Sequence, residues 1–264
     1  MTSSRARSIA RWGILILVGG YLLLPLVAMA EFSTRGDFGT RTLGAYAAIL
    51  EDPNLIDAIL LTVTIAALTA GGMLFLLIPT MAWTYIRVPG LKRAVEFLCL
   101  LPLAIPAVVL VVGIVPIYQI LSRATRGNAL TLAFIDIILV LPYAHRALDA
   151  GLKSIDVTTL AEAARSLGAS WPRVMFQIIA PNLRGAILSA VVITVALVLG
   201  EYTISSLLNY DTLQVIIALQ GQRDAFIAVA VSLAALAFAF VLVLGIAIFG
   251  AERRRSQPVE EPAT

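Results

Sequence analysis

Two groups of ionisable residues stand out from the sequence because of what surrounds them. Asp136 interrupts the apolar run ALTLAFIDIILVLP, and Glu201 lies in LGEYTISSLL. A carboxylate at the depth of a lipid bilayer is costly, so such groups usually face a helix bundle or a water-filled path. Glu162 and Arg165 have a different setting, the short half-polar stretch LAEAARSLGAS at residues 160–170.

Residues that would support catalysis are sparse. His145 is the single histidine and Cys99 the single cysteine, so no nucleophile–histidine pair and no histidine or cysteine metal cluster can be assembled. Lys92 and Lys153, the two lysines, follow no glycine-rich loop that would cradle phosphates. We therefore expect no enzyme activity, no ATP hydrolysis by this chain and no cofactor.

The composition indicates a membrane protein. Hydrophobic residues make up 60% of the 264 positions and charged residues 13%, and the mean hydropathy is +0.95. Soluble domains have about 45–50% apolar and about 25% charged residues. Backbone groups in lipid must be satisfied within helices, so the fold class is predicted to be all-α and integral to the membrane. The net charge of +3 comes from arginines that orient the chain, and no nucleic-acid partner is predicted.

Six segments approach the roughly 20 apolar residues that a transmembrane helix needs. The predicted spans are 13–30, 55–79, 95–121, 129–148, 185–208 and 225–250. Pro102, Pro106 and Pro116 predict a kink in the third span. For the first span a signal peptide is the alternative, because arginines precede it and AMA follows.

The distribution of positive charge predicts the orientation of the chain. Of the 19 lysines and arginines, 14 lie in the amino terminus, the 80–93 loop, the 144–184 loop and the carboxyl-terminal tail, and 5 lie in the alternate loops. By the positive-inside rule, both termini and the 144–184 loop are predicted to be cytoplasmic. The predicted organisation is a cytoplasmic segment 1–12, a six-span domain 13–250 with a cytoplasmic loop at 149–184, and a disordered cytoplasmic tail 251–264.

Within this loop the sequence predicts a helix, a sharp turn and a second helix. Asp156 or Thr159 can cap the first helix, and Thr159 with Glu162 fits a capping box. Leu160, Ala164 and Leu167 fall on one face of this helix, and Glu162 and Arg165 fall toward the other. Gly168 is expected to end it in a left-handed conformation. The second helix is expected to begin after Ser170 and to run until Pro181 interrupts it.

The spacing of these residues resembles the EAA loop of the permease subunits of binding-protein-dependent ABC importers. That motif has the form EAA, three residues, Gly, nine residues, Ile, one residue, Leu-Pro. This chain matches it in type and position at Glu162, Ala163, Ala164, Gly168, Ile178 and Pro181, and it has Ala180 where the family usually has leucine. The motif also lies where the family has it, in the loop between the fourth and fifth of six predicted spans.

The resemblance implies a type I ABC importer permease fold in which residues 157–168 form a coupling helix. This helix would dock on a separate ATP-binding cassette ATPase. Its contact residues would be Leu160, Glu162, Ala163, Ala164, Arg165, Leu167 and Gly168. The resemblance further implies a second permease subunit, identical or related, an extracytoplasmic substrate-binding protein, and a location in the bacterial inner membrane. An alternative for residues 157–168 is a helix that lies on lipid headgroups.

Glu201, Asp136 and Tyr202 are the candidate residues of the translocation path. A carboxylate there would suit a cationic substrate, whereas the structural alternative is a hydrogen bond that holds the bundle together. The GEY segment at 200–202 and IPAVV at 105–109 resemble polyamine-type permeases, which suggests a polyamine or another small cation. A secondary transporter or channel is the alternative function, but the two halves of the chain show no internal repeat.

The predicted topology can be tested by labelling single cysteines in intact cells. Cysteines at Ser4, Ser154 and Ser256 should react only with reagents that enter the cytoplasm, and cysteines at Gly127 or Asp211 should react from outside. Labelling of position 154 by an impermeant reagent would contradict the orientation.

Overall fold

The structure, a computed structural model, describes residues 2–35 and 40–255 and is helical throughout, apart from one isolated antiparallel bridge between Arg35 and Arg41 in these ranges. Residues 256–264 of the predicted tail lie outside the described residues. The α-helices are α1 Thr2–Ser33, α2 Gly44–Glu51, α3 Pro53–Ile86, α4 Lys92–Leu100, α5 Ala107–Ala124, α6 Leu132–Lys153, α7 Val157–Ser166, α8 Trp171–Arg173, α9 Ala180–Asn182, α10 Arg184–Leu199, α11 Thr203–Leu207, α12 Leu213–Gly221 and α13 Ala225–Arg255.

Among the described residues, five helical segments are long and apolar enough to cross a membrane. A sixth is obtained if the bent pair Trp171–Asn182 and Arg184–Leu199 counts as one span. The all-helical, multi-span architecture predicted from composition is confirmed. The five segments are Arg11–Ser33, Pro53–Ile86, Ala107–Ala124, Ala129–Lys153 and Ala225–Ile248.

The boundaries predicted for the third span, 95–121, are wrong because the helix is interrupted inside it. Helix α4 ends at Leu100, a 3-10 turn follows at Leu101–Ala104, and α5 begins only at Ala107. Ile105 is extended, with φ −108 and ψ 120, as expected of a residue that precedes a proline. Pro106 is also extended and caps α5. The prolines therefore interrupt the helix where a kink was expected, and Pro116 lies within α5.

The fifth predicted span, 185–208, is also interrupted. Helix α10 has 16 residues and ends at Leu199, and the short helix α11 follows after Gly200–Tyr202. At about 1.5 Å per residue, α10 is about 24 Å long, which is less than the roughly 30 Å of a bilayer core. A bend of 79° separates it from the helical segment 171–182.

The chain divides into two compact units, of which the first comprises Met1–Ile56 and Ile216–Phe238. Within it, the rings of Phe32 and Phe226 stack at 5.0 Å. The hydroxyls of Ser33 and Tyr46 share a hydrogen bond of 2.6 Å. Most of the large apolar side chains of α1 between Trp12 and Val27 are exposed, as suits a helix surrounded by lipid or by another membrane protein.

The second unit comprises Asp57–Val215 and Ala239–Thr264 and contains the main hydrophobic core. Helix α6 packs along α10, and a β-carbon added at Gly151 would overlap Ala186. At another level of α6, a β-carbon added at Gly72 of α3 would meet the side chain of Ile137 at 2.5 Å. The missing side chains therefore let the helices approach closely. Fully buried core residues include Met73, Leu77 and Met81 of α3, and Ile135, Val140 and Leu148 of α6.

Replacing Gly151 by alanine tests the close approach of α6 and α10. The new methyl group would overlap Ala186 on a helix that cannot easily move away, so we expect a loss of about 1–3 kcal/mol in stability. Gly185→Ala is the control, because a β-carbon there meets nothing within 4 Å. Thermal unfolding in mild detergent should separate the two variants, and equal stability would contradict the packing.

Candidate functional site

Helix α7 begins with a side-chain cap on Asp156. The Asp156 carboxylate accepts hydrogen bonds from the Thr159 backbone N–H at 3.1 Å and from the Thr159 hydroxyl at 2.7 Å. These bonds hold the pKa of Asp156 below its usual value. The capping box of Thr159 and Glu162 is wrong, because Thr159 already lies inside the helix. Of the two candidate caps, Asp156 is the one that the chain uses.

The end of α7 is fixed by Gly168, as predicted. Gly168 has φ +83, the left-handed conformation that favours glycine. The N–H of Ala169 donates to the carbonyl of Ala164 at 3.0 Å, and the N–H of Gly168 donates to that of Arg165 at 2.9 Å. This pair of bonds is a Schellman motif. The Arg165 guanidinium also donates to the Ala169 carbonyl at 2.7 Å, which braces the turn.

The two faces of α7 differ sharply in exposure. Val157 and Ala161 are buried, Ala164 is half-buried against the core, and Leu160 is half-buried. Leu167 was predicted to share this face, but it is 88% exposed, because it follows the last helical residue and takes a different direction. The exposed side carries Glu162, Ala163, Arg165, Ser166 and Leu167.

The second part of the loop differs from its prediction at Pro181. Ser170 caps the new helix and Trp171 and Pro172 start it, as expected. The helix then widens into a π-helical segment at Val174–Ile179 and continues through Pro181 to Asn182. The wider turns accommodate the proline ring and its missing N–H. The helix is interrupted at Leu183 instead, where the 79° bend lies.

A cluster of aromatic and arginine side chains, not indicated by the sequence, joins this loop to the end of α3. The ring of Trp171 meets that of Trp83 edge to face, with centroids 5.5 Å apart. The guanidinium carbons of Arg87 and Arg165 lie 4.7 Å and 5.4 Å from the centroid of Trp171. We call these four residues the Trp171 clamp. Trp83 and Arg87 lie far from Arg165 and Trp171 in the sequence, so no local pattern could have revealed the clamp.

The three candidate path residues have different surroundings. Asp136 is buried, with 4% exposure, and has no hydrogen bond to the described residues. Glu201 lies in the break between α10 and α11. The ring of Tyr202 is 46% exposed. A cavity of about 450 Å³ lined by Tyr118, Asn209 and Tyr210, among others, includes none of the three.

Glu201 makes hydrogen bonds that the sequence analysis did not anticipate. Its carboxylate accepts from the backbone N–H groups of Ile204 at 2.7 Å and Ser205 at 3.2 Å, and from the Ser205 hydroxyl at 3.2 Å. These are the free donors at the start of α11, which a carboxylate satisfies well. The bonds lie within one segment and do not join two spans. Glu201 therefore holds the short helix that follows the break.

Comparison with protein families supplies the context for these features. The model of the family described as "binding-protein-dependent transport system inner membrane component" matches residues 80–256, more than half of the chain. The chain belongs to this family. The matched region begins near the end of α3 and includes α7, Gly168, the Trp171 clamp, Asp136 and Glu201. A comparison with curated proteins gives no match.

Membership in this family makes the chain an inner-membrane permease of a binding-protein-dependent ABC transporter. The permease is a multi-pass membrane protein that takes part in solute transport. The type I permease fold predicted from the EAA-like spacing is thereby confirmed.

The capping role of Glu201 predicts a graded loss of stability on substitution. Glu201→Ala should lower the free energy of unfolding by about 1 kcal/mol, because the donors at the start of α11 lose their acceptor. Glu201→Gln should lower it less, since the amide oxygen still accepts one bond. Thermal unfolding in detergent is the measurement, with the exposed Glu162→Ala as control. Equal stability of Glu201→Ala and the unaltered permease would contradict the capping role.

Proposed function

We propose that the permease is one of two membrane subunits of an ATP-driven importer and that α7 couples it to a separate ATPase subunit. The observation that carries this proposal is the division of α7 into two faces. One face is fixed to the permease by Val157 and Ala161, and the other presents an exposed leucine beside small and polar residues. A short helix held in this way can fill a groove on a partner and transmit its movement.

The docking surface comprises Glu162, Ala163, Ser166 and Leu167. Leu167 is the anchor, because a large apolar side chain that is 88% exposed gains most from burial in a groove. Ala163 permits close approach of the ATPase, and Glu162 presents a negative charge to the rim of its groove. The other residues of the predicted coupling set act from within the permease: Leu160 and Ala164 seat the helix, and Arg165 and Gly168 fix the turn.

Lipid headgroups are a poorer partner for this helix. An interfacial helix lays an apolar stripe into the bilayer and usually carries lysine or arginine on its polar face. The apolar stripe of α7, from Val157 to Ala164, is already packed against the permease. Its exposed face contains Glu162, and its one arginine, Arg165, is engaged with the turn and with Trp171.

Replacing Gly168 by valine tests the coupling role. A β-carbon at Gly168 meets nothing within 4 Å, so the only penalty is the left-handed backbone. For a branched residue we expect this strain to cost about 1–3 kcal/mol, which the turn relieves by rearranging. The orientation of α7 then changes. The amount of ATPase that co-purifies should fall roughly tenfold for each 1.4 kcal/mol of binding free energy lost at the interface. Abundance in the membrane should stay normal because the spans are untouched.

Gly90→Val is the matched control. Gly90 also has open space around a β-carbon, but its φ is not positive. It should leave ATPase association unchanged. Glu162→Ala should weaken association mildly without destabilising α7, since Asp156 provides the cap. Wild-type association and ATP-driven uptake in Gly168→Val would overturn the proposal.

The proposed substrate is a small cation of the polyamine class, and the proposed path passes Asp136, Glu201 and Tyr202. Two carboxyl groups among apolar helices support this proposal, because such groups are retained where a cation or water offsets their cost. Specificity would be shared with an extracytoplasmic binding protein, and the path would be completed by a second permease, identical or related. The excess of lysine and arginine in the two terminal segments and in the 80–93 and 144–184 loops supports cytoplasmic termini.

Uptake of radiolabelled spermidine tests this substrate class. Glu201→Gln keeps an acceptor for α11 but removes the charge, so we expect uptake to fall at normal abundance. Asp211→Asn removes a charge from an exposed loop residue and should transport normally. No uptake by the unaltered transporter, or equal uptake by Glu201→Gln, would overturn the cation proposal while leaving the coupling proposal intact.

A further inference from the structure

The Trp171 clamp connects the carboxyl-terminal end of α7 to the end of α3. Trp171 is half-buried and packs against the hydrophobic core, and its ring is the central member of the clamp. Trp83 lies in the last turn of α3 and Arg87 directly follows that helix. Arg165 lies in the last turn of α7. The clamp therefore brings together three elements that otherwise belong to different parts of the fold.

Each member of the clamp is held by more than one contact. Arg87 lies 4.7 Å from the Trp171 ring and 6.0 Å from the Trp83 ring, within the range of cation–π attraction. Arg165 approaches the Trp171 ring while it donates to the Ala169 carbonyl. The edge-to-face contact of the two indoles sets their mutual angle. Arg165 is the member of the clamp that lies on α7, so rotation of α7 about the Gly168 turn would pull its guanidinium away from the Trp171 ring and the Ala169 carbonyl.

The position of these contacts along α7 determines what they constrain. The buried residues Val157 and Ala161 fasten the amino-terminal half of the helix. The docking surface, Glu162 to Leu167, belongs to the carboxyl-terminal half, where the Arg165 contact with Trp171 acts. A force applied to the docking surface therefore reaches Trp171 within one helical turn. From Trp171 it reaches α3, which contributes Met73, Leu77 and Met81 to the core.

We propose that Trp171 is a positioning residue that locks the coupling helix to α3, so that movement of the ATPase is passed to this span and not absorbed by the loop. The proposal rests on the proposed function, because it assumes that α7 docks on an ATPase. The proposed docking surface for the ATPase includes no member of the clamp. Loss of Trp171 should therefore uncouple the two movements while ATPase binding persists.

The first experiment measures the lock in the permease alone. Spin labels are placed by Thr158→Cys on α7, outside the docking surface, and by Gly90→Cys after α3, both at exposed positions, in a Cys99→Ala background. Electron–electron distance measurements in nanodiscs should give one narrow distribution. Trp171→Ala should lose that narrow distribution, and Trp171→Phe, which keeps an aromatic face for both arginines, should retain most of it. Phe176→Ala is the control, because this ring is 76% exposed and lies on the same segment outside the clamp.

The second experiment uses the same labels in the purified permease–ATPase complex, with and without MgATP and vanadate. With Trp171 present, α7 and α3 should move as one body and the distance should stay constant. In Trp171→Ala the ATPase should still co-purify and hydrolyse ATP, but the distance should change when the nucleotide is trapped. Trp171→Phe should again behave like the unaltered protein.

The outcomes separate the two proposals. An unchanged narrow distribution in Trp171→Ala, or a nucleotide-dependent distance in the unaltered complex, would overturn the clamp proposal. Loss of ATPase association in Trp171→Ala equal to that in Gly168→Val would also overturn it, because Trp171 would then act in docking. If no ATPase co-purifies with the unaltered permease, the proposed function fails, whatever the first experiment shows about the clamp.

Discussion

The close packing of α6 against α10 is the contact on which the rest of the second unit depends. Gly151 allows it, since a side chain there would occupy the space of Ala186. The loop from Ser154 to Leu183 leaves one of these helices and returns to the other, so their contact holds both ends of the loop together. A loop closed at its base in this way needs few further contacts to become a defined projection. The interaction of apolar helices thus determines where a polar surface is presented.

Further contacts determine the direction of that projection. The Tyr85 hydroxyl donates to the Asp149 carboxylate at 2.6 Å, and Lys153 pairs with the same carboxylate at 2.5 Å. The Tyr85 bond ties the end of α3 to the end of α6 beside the base of the loop, and Lys153, itself on α6, holds the carboxylate in place. The Trp171 clamp adds a second connection from α3 to the loop itself. Two connections at different distances from the base resist tilting better than one, which suits the coupling role proposed for α7.

Features governed by neighbouring residues could be predicted from the sequence, and features governed by distant residues could not. The Gly168 turn and the Ser170 start depend on local backbone preferences, and the structure contains both. The choice between Asp156 and Thr159 as cap, the exposure of Leu167 and the contact between Trp83 and Trp171 depend on packing across the fold. The interrupted third span depends on both local and distant residues. Pro106 predicts a distorted helix from local sequence, but whether the helix bends or is interrupted there depends on the neighbouring helices.

The break between α4 and α5 has a consequence for what surrounds this part of the permease. At the break the Ile105 N–H donates to the Pro102 carbonyl and the Pro106 carbonyl accepts from the Leu110 N–H, whereas the carbonyl of the extended residue Ile105 is left outside the backbone hydrogen bonds of the described residues. Hydrocarbon cannot satisfy such a group, so irregular backbone at membrane depth persists only where protein or water covers it. Leu101 and Leu103 beside the break are nevertheless exposed in the single chain. We therefore expect this surface to face protein or water and not the annular lipid.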